Sequence, residues 1–129
     1  MRTTSLPFEL DSDEIRTHHV SARAIHGAIR LEGDFLIIDF FLEGAPADAA
    51  PHTTRIDLAD IERVSMTGGS VKSPRLLIDA AADGVLDALP WADDCLCVMR
   101  FRRAHGQRLR ELIEEIEVRM AEIRTREDS

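Results

Sequence analysis

From Ala24 onward, apolar and polar positions fall into a period of two. Ile25, Ile29 and Leu31 alternate with His26, Arg30 and Glu32, the signature of a half-buried strand. Gly33-Asp34 is a tight-turn pair, and Phe35 to Glu43 returns as a second strand, so the two predict a hairpin with almost no loop. The second strand is apolar on both sides. Leu36, Ile38, Phe40 and Leu42 make one face; Phe35, Ile37 and Phe41 share the other with Asp39. A small barrel has one interior, so one set must point away from it. The set containing Asp39 is expected outward, which makes Phe35, Ile37 and Phe41 a candidate interface.

Further along, Arg55-Ile56-Asp57-Leu58 begins a third strand, Ala59-Asp60 breaks the alternation, and Ile61, Val64 and Met66 resume it. That interruption predicts a strand bent by a bulge or turn. Thr67-Gly68-Gly69-Ser70 reads as a turn, Arg75 to Ala81 as a strand, and Val85 to Leu89 as a short strand or helical turn. Cys95 to Arg102 is the last strand. The period then changes: Leu109, Leu112, Ile113, Ile116, Met120 and Ile123 recur at three and four residues, one stripe of a helix. Arg110 stands four before Glu114, Glu115 four before Arg119 and Glu122 four before Arg126, spacings that predict ion pairs along the helix surface. A stripe this broad needs a sheet to lie on. The expected fold is mainly β with one C-terminal helix (α+β), a sheet or barrel closed by that helix.

Residues 1–22 are weakly patterned. Leu6, Pro7, Phe8 and Leu10 form a small apolar knot before the acidic cluster Asp11, Asp13 and Glu14. The expectation is an N-terminal arm over 1–22, docked by its knot, and a single domain over 23–126. Loops fall at residues 44–53, 82–84 and 90–94, with no internal repeat or interdomain linker.

Composition narrows the partners more than the fold. Among 129 residues, 16 basic and 24 acidic side chains give a net charge of −8. Such a field repels phosphodiester backbones and anionic lipid heads, so neither nucleic acid nor stable membrane association is expected. No stretch approaches the ~20 apolar residues that span a bilayer, and no signal-peptide run opens the chain. Cys95 and Cys97, two apart on one strand, are poorly placed to pair with each other. A cytoplasmic protein with reduced thiols is the expectation.

The succession of a bent strand RIDLADIERVSM (residues 55–66), a strand LLID, a short loop ending in LP, and CLCVMRFRR running directly into QRLRELIEEIE resembles the small bacterial pleckstrin-homology-like domains. The hairpin AIRLEGDFLIIDF is similar to that family's opening strands. The resemblance covers about residues 25–123 and implies a bent antiparallel barrel of about seven strands plugged by the helix. It also implies a binding or self-assembly module without cofactor. In members that bind inositol phosphates, basic side chains line a generous first hairpin loop. Here that loop is Glu32-Gly33-Asp34, short and acidic, so no phosphoinositide preference is expected.

Individual residues add little chemistry. The pair Cys95 and Cys97 offers two thiols, but the chain supplies no set of further ligands at zinc spacing, so no metal is expected and a packed barrel wall is the plainer reading. His18, His19 and His26 are the only histidine cluster, and adjacent residues on an extended chain point opposite ways. Arg100, Arg102, Arg103 and Arg108 gather at the strand–helix junction, a candidate anion site, although ion pairing with Glu111 and Glu114 would neutralise them. Trp91, in a loop, is expected to fold onto the body. No triad, phosphate loop or metalloprotease string is present, so no catalytic residue is assigned. The functional expectation is a non-enzymatic protein-binding module that also self-associates into a homo-oligomer. The alternative is an anionic small ligand or lipid headgroup at the arginine cluster.

Overall fold

A computed structural model describes residues 5–11, 22–44, 51–68 and 72–127. Seven strands form one antiparallel sheet: β1 (Leu6–Asp11), β2 (Ala24–Glu32), β3 (Phe35–Glu43), β4 (His52–Asp57), β5 (Ile61–Thr67), β6 (Arg75–Ala80) and β7 (Leu96–Arg100). One helix, α1 (Gly106–Glu127), follows. The strand order is β4-β3-β2-β1-β7-β6-β5, so the sheet is not closed: β4 and β5 are its two ends. They are joined by a single 3₁₀ turn, Leu58–Asp60, and α1 lies against that turn and against β5.

The expected hairpin is present, with Glu32 opposite Phe35 and Gly33 at φ 58°, a left-handed conformation that glycine adopts without strain. The interruption at Ala59-Asp60 is the 3₁₀ corner. Asp57 accepts a hydrogen bond from the Ala59 N–H (2.9 Å), which turns the chain out of β4. Beyond it the ladder slips between Ile61 and Arg63, a bulge that adds bend. Val85 to Leu89 is a run of turns that drops Leu86 and Leu89 into the core, and it contributes no strand.

The seventh strand comes instead from the N-terminus, and the expected arm is corrected here. Leu6–Asp11 pairs with β2 along its whole length and meets β7 at Glu9↔Arg100. Leu6, Phe8 and Leu10 are each 2% exposed: the knot is the inward face of a strand at the centre of the sheet. Pro7 disguised the alternation, since proline lacks the N–H that a ladder uses. It is tolerated because β1 meets β7 at one position only, so no long second ladder is broken. The domain therefore begins upstream of residue 23.

Leu36, Ile38 and Phe40 face the core from β3 as expected, joined by Ile25 and Ile29 from β2, and by Cys97 and Met99 from β7. The whole helix stripe, Leu109 to Ile123, is buried against them. At the core's centre the Phe8 ring lies beside Gly27. A Cβ there would sit 2.6 Å from Phe8 Cζ and 2.3 Å from the Asp39 carbonyl oxygen, so only glycine fits.

The helix-surface pairs differ from expectation. Arg119 and Arg126 both reach Asp34 in the β2–β3 turn (3.7 and 3.0 Å), and Arg119 also pairs with Glu122 at 3.6 Å. Arg124 donates to the Glu62 carbonyl at 3.0 Å. The acidic hairpin loop is thus the anchor for the C-terminal half of α1. A fixed carboxylate on a neighbouring turn wins because meeting it restricts one long side chain rather than two.

Candidate functional site

Two surfaces gather the residues singled out from the sequence. The first is the outer face of β2, β3 and β4. Register places Ile37 between Arg30 and Arg55, Asp39 between Ala28 and Thr53, and Phe41 beside His26. Arg30 donates to Asp39 at 2.6 Å and also pairs with Glu32, while Thr53 Oγ1 donates to Asp39 at 2.6 Å. These bonds, the Thr53 hydroxyl first, hold the Asp39 carboxyl below its ordinary value. The Arg55 guanidinium lies 4.2 Å over the Phe35 ring, a cation–π contact.

The three candidate interface residues therefore separate. Ile37 is 6% exposed although it points away from the core, flanked on the same face by Arg30 and Arg55. Phe35 is half-buried under Arg55, and Phe41 is open at 47%. The N-terminal knot does not lie on this face: Leu6, Phe8 and Leu10 are buried on the inner side of the sheet. Phe41 stacks on the His26 ring at 5.2 Å between centroids and 26° between planes. His26 Nε2 approaches Glu43 at 3.0 Å, a contact that lowers the Glu43 carboxyl's pKa.

The second surface is the arginine junction. Arg100 lies 4.0 Å from Asp11, Arg102 lies 3.5 Å from Glu9, and Arg108 donates to the Ser5 carbonyl at 3.1 Å. Arg103 opens the short 3₁₀ turn Arg103–His105 before α1. For Arg100 and Arg102 the neighbouring carboxylates come from β1, while Glu111 accepts from Gln107 at 3.4 Å. No local pattern announces this contact, because it forms only once β1 lies beside β7. Arg100 and Arg102 line a cavity of about 210 Å³ together with Glu9 and His26. His26 is thus common to both surfaces, while His18 and His19 lie outside the described residues.

The remaining candidates are structural. Cys97 is fully buried and its thiol is pushed up to about 12 by burial, despite a hydrogen bond from Trp91 Nε1 to its sulfur at 3.1 Å. Cys95 donates to Asp83 at 3.3 Å, and that contact raises its pKa too. Trp91 is 3% exposed, edge-on to Phe40 at 5.0 Å and 5.6 Å from Phe8, folded onto the body as expected. Among the described residues, no group of three or more His, Cys, Asp or Glu side chains is placed to hold a metal ion. Nor is any helix there long and apolar enough to cross a membrane. Comparison of the chain with models of protein families, with curated proteins and with solved structures finds no match.

Proposed function

We propose that the protein is a non-enzymatic binding module that works by contact with protein, including a second copy of itself, through the outer face of β2–β4. The observation that carries this reading is Phe41, 47% exposed at the open end of a face on which Ile37 is buried and Phe35 lies under the Arg55 guanidinium. A large aromatic left in water beside a histidine and two carboxylates has the composition of an interface anchor with a polar rim. Two-fold pairing about this face would be self-complementary: Phe41 would meet apolar surface at the centre while Arg55 and Glu43 face opposite charges at the margin. Both thiols are pushed toward the protonated form, so neither Cys95 nor Cys97 is a ready nucleophile.

Light scattering over a concentration series tests the proposal. Wild-type mass should rise with concentration, and Phe41→Asp should hold the monomer mass throughout with an unchanged melting transition. A wild type that stays monomeric at every concentration overturns self-association. Phe35→Asp is the weaker variant, because Phe35 is already engaged by Arg55.

A further inference from the structure

The sheet ends in β4 on one side and β5 on the other, and the two ends are finished differently. At β5 the ladder slips between Ile61 and Arg63, α1 packs alongside, and Arg124 donates to the Glu62 carbonyl at 3.0 Å. A bulge, a helix and a capped carbonyl are means by which an edge is closed to further strands. β4 instead keeps one register, from Phe35↔Asp57 to Phe40↔His52, without a slip.

The ladder also fixes which backbone groups of β4 face outward. The Leu58 N–H donates to the Asp34 carbonyl at 2.9 Å, one step beyond Phe35↔Asp57. Antiparallel residues alternate between facing their partner strand and facing away from it. Ile56 and Thr54 therefore bond to β3 as Leu58 does, while Arg55 and Thr53 turn both N–H and C=O to the open side. Among the described residues nothing caps those four groups. Both residues are exposed, yet their side chains are drawn back over the sheet. Thr53 Oγ1 donates to Asp39 at 2.6 Å, and the Arg55 guanidinium lies over the Phe35 ring. A charge that could guard the edge is thus held off it.

The strand is complementary to itself. Opposed residues of an antiparallel pair share one side of the sheet, so two copies of β4 related by a two-fold must be centred on a residue. A centre at Arg55 sets two guanidiniums against each other, which is unfavourable. A centre at Ile56 runs each strand into the other copy's 3₁₀ turn, and one at Thr53 opposes Arg55 to Pro51, which has no N–H. A centre at Thr54 opposes Thr53 to Arg55 twice and closes four N–H···O bonds. Thr54 then meets Thr54, His52 meets Ile56, and Pro51 ends the ladder. With one arginine and one aspartate, β4 is locally neutral within a chain of net charge −8. We propose that a second copy of the chain pairs with β4, antiparallel and centred on Thr54, joining two β2–β4 half-sheets edge to edge. This contact is separate from packing through Phe41 and does not depend on it.

Cross-linking of the full chain tests the register. In a Cys95→Ser background, Thr54→Cys should form a disulfide-linked dimer under mild oxidation. The two Cα atoms of such a non-hydrogen-bonded pair stand ~4.5 Å apart, within the ~4.4–6.8 Å that a disulfide spans. Thr53→Cys, opposed to Arg55 of the other copy, should stay monomeric under the same treatment. Equal cross-linking at both positions, or none at Thr54, overturns the proposal. Arg55→Pro removes an outward N–H while leaving the β3–β4 bonds in place, so it should keep the melting transition and hold the monomer mass in light scattering. Thr54→Cys carries the test if that proline disturbs the strand. Association that survives Arg55→Pro but not Phe41→Asp assigns self-contact to the outer face and overturns the edge pairing. Association that survives Phe41→Asp but not Arg55→Pro upholds the edge pairing without the face.

Discussion

Gly27 occupies a position where a single methyl decides the packing. Its missing Cβ admits the Phe8 ring and the Asp39 carbonyl, at 2.6 and 2.3 Å from where that atom would be. Both neighbours are held in the sheet, one on β1 and one on β3, so neither can retreat cheaply. Gly27→Ala should cost about 1–3 kcal/mol in urea denaturation, as other overpacked cores do. A cost near zero would mean that Phe8 has room to turn. Asp39 makes a different prediction. Its folded pKa lies below the unfolded value, so its bonds to Thr53 and Arg30 contribute stability above the ordinary carboxyl value of 3.8. That contribution is lost as pH falls through the lowered folded value. Thermal melts from pH 5 downward should therefore show Asp39→Asn less stable than wild type at the upper end, with the difference shrinking as the acid limb is descended. Parallel curves would show that the carboxylate adds nothing.

At the scale of elements, α1 completes the core. Leu109, Leu112, Ile113, Ile116, Met120 and Ile123 are between 0% and 7% exposed, covering the corner between β4 and β5 that the sheet leaves open. Each buried aliphatic side chain contributes roughly 1.5–3 kcal/mol. Six together rival the ~5–15 kcal/mol net stability of a whole domain. A chain ending at Arg103 should lose its cooperative melt and bind hydrophobic dye. Retention of a transition near the full-length midpoint would make the helix an appendage. The arginines that tie α1 to Asp34 are secondary to this. They are partly exposed, and pairs of that kind contribute about 1 kcal/mol or less. Their part is to set where the helix lies, while its apolar stripe supplies the stability.

For the molecule as a whole, β1 is the keystone. The order β4-β3-β2-β1-β7-β6-β5 makes it the one strand joining the half-sheet of β2–β4 to that of β5–β7. Its three inward residues stand at the centre of the core, with Phe8 against both Trp91 and Phe101. A chain beginning at Ala22 should consequently fail to fold, giving collapsed amide dispersion in a nitrogen–proton NMR spectrum. Native-like dispersion would return β1 to the status of a docked arm. The same strand brings Glu9 and Asp11 to the arginine junction, so packing and electrostatics at the seam stand or fall together.

Much of this architecture is written in local periodicity. The β2–β3 hairpin, the bend at Ala59-Asp60 and the helix stripe are each readable from their own residues, because a period of two or of 3.6 needs only its own neighbours to be expressed. The inward and outward faces of β3 were legible for the same reason. What the tertiary structure decided are the long-range matters. Leu6–Asp11 becomes a strand because β2 and β7 are there to receive it, despite a proline that argues for a loop. Arg119 and Arg126 meet Asp34, a residue of the β2–β3 turn that no helical spacing announces, because folding brings a fixed carboxylate within reach. Ile37 stands between Arg30 and Arg55, residues seven before and eighteen after it, and Glu9 reaches Arg102 across 93 positions of sequence. Periodicity specifies which face of an element is apolar. Which partner meets that face, and where paired charges leave a cavity between strands, depends on contacts that exist only once the chain has closed on itself.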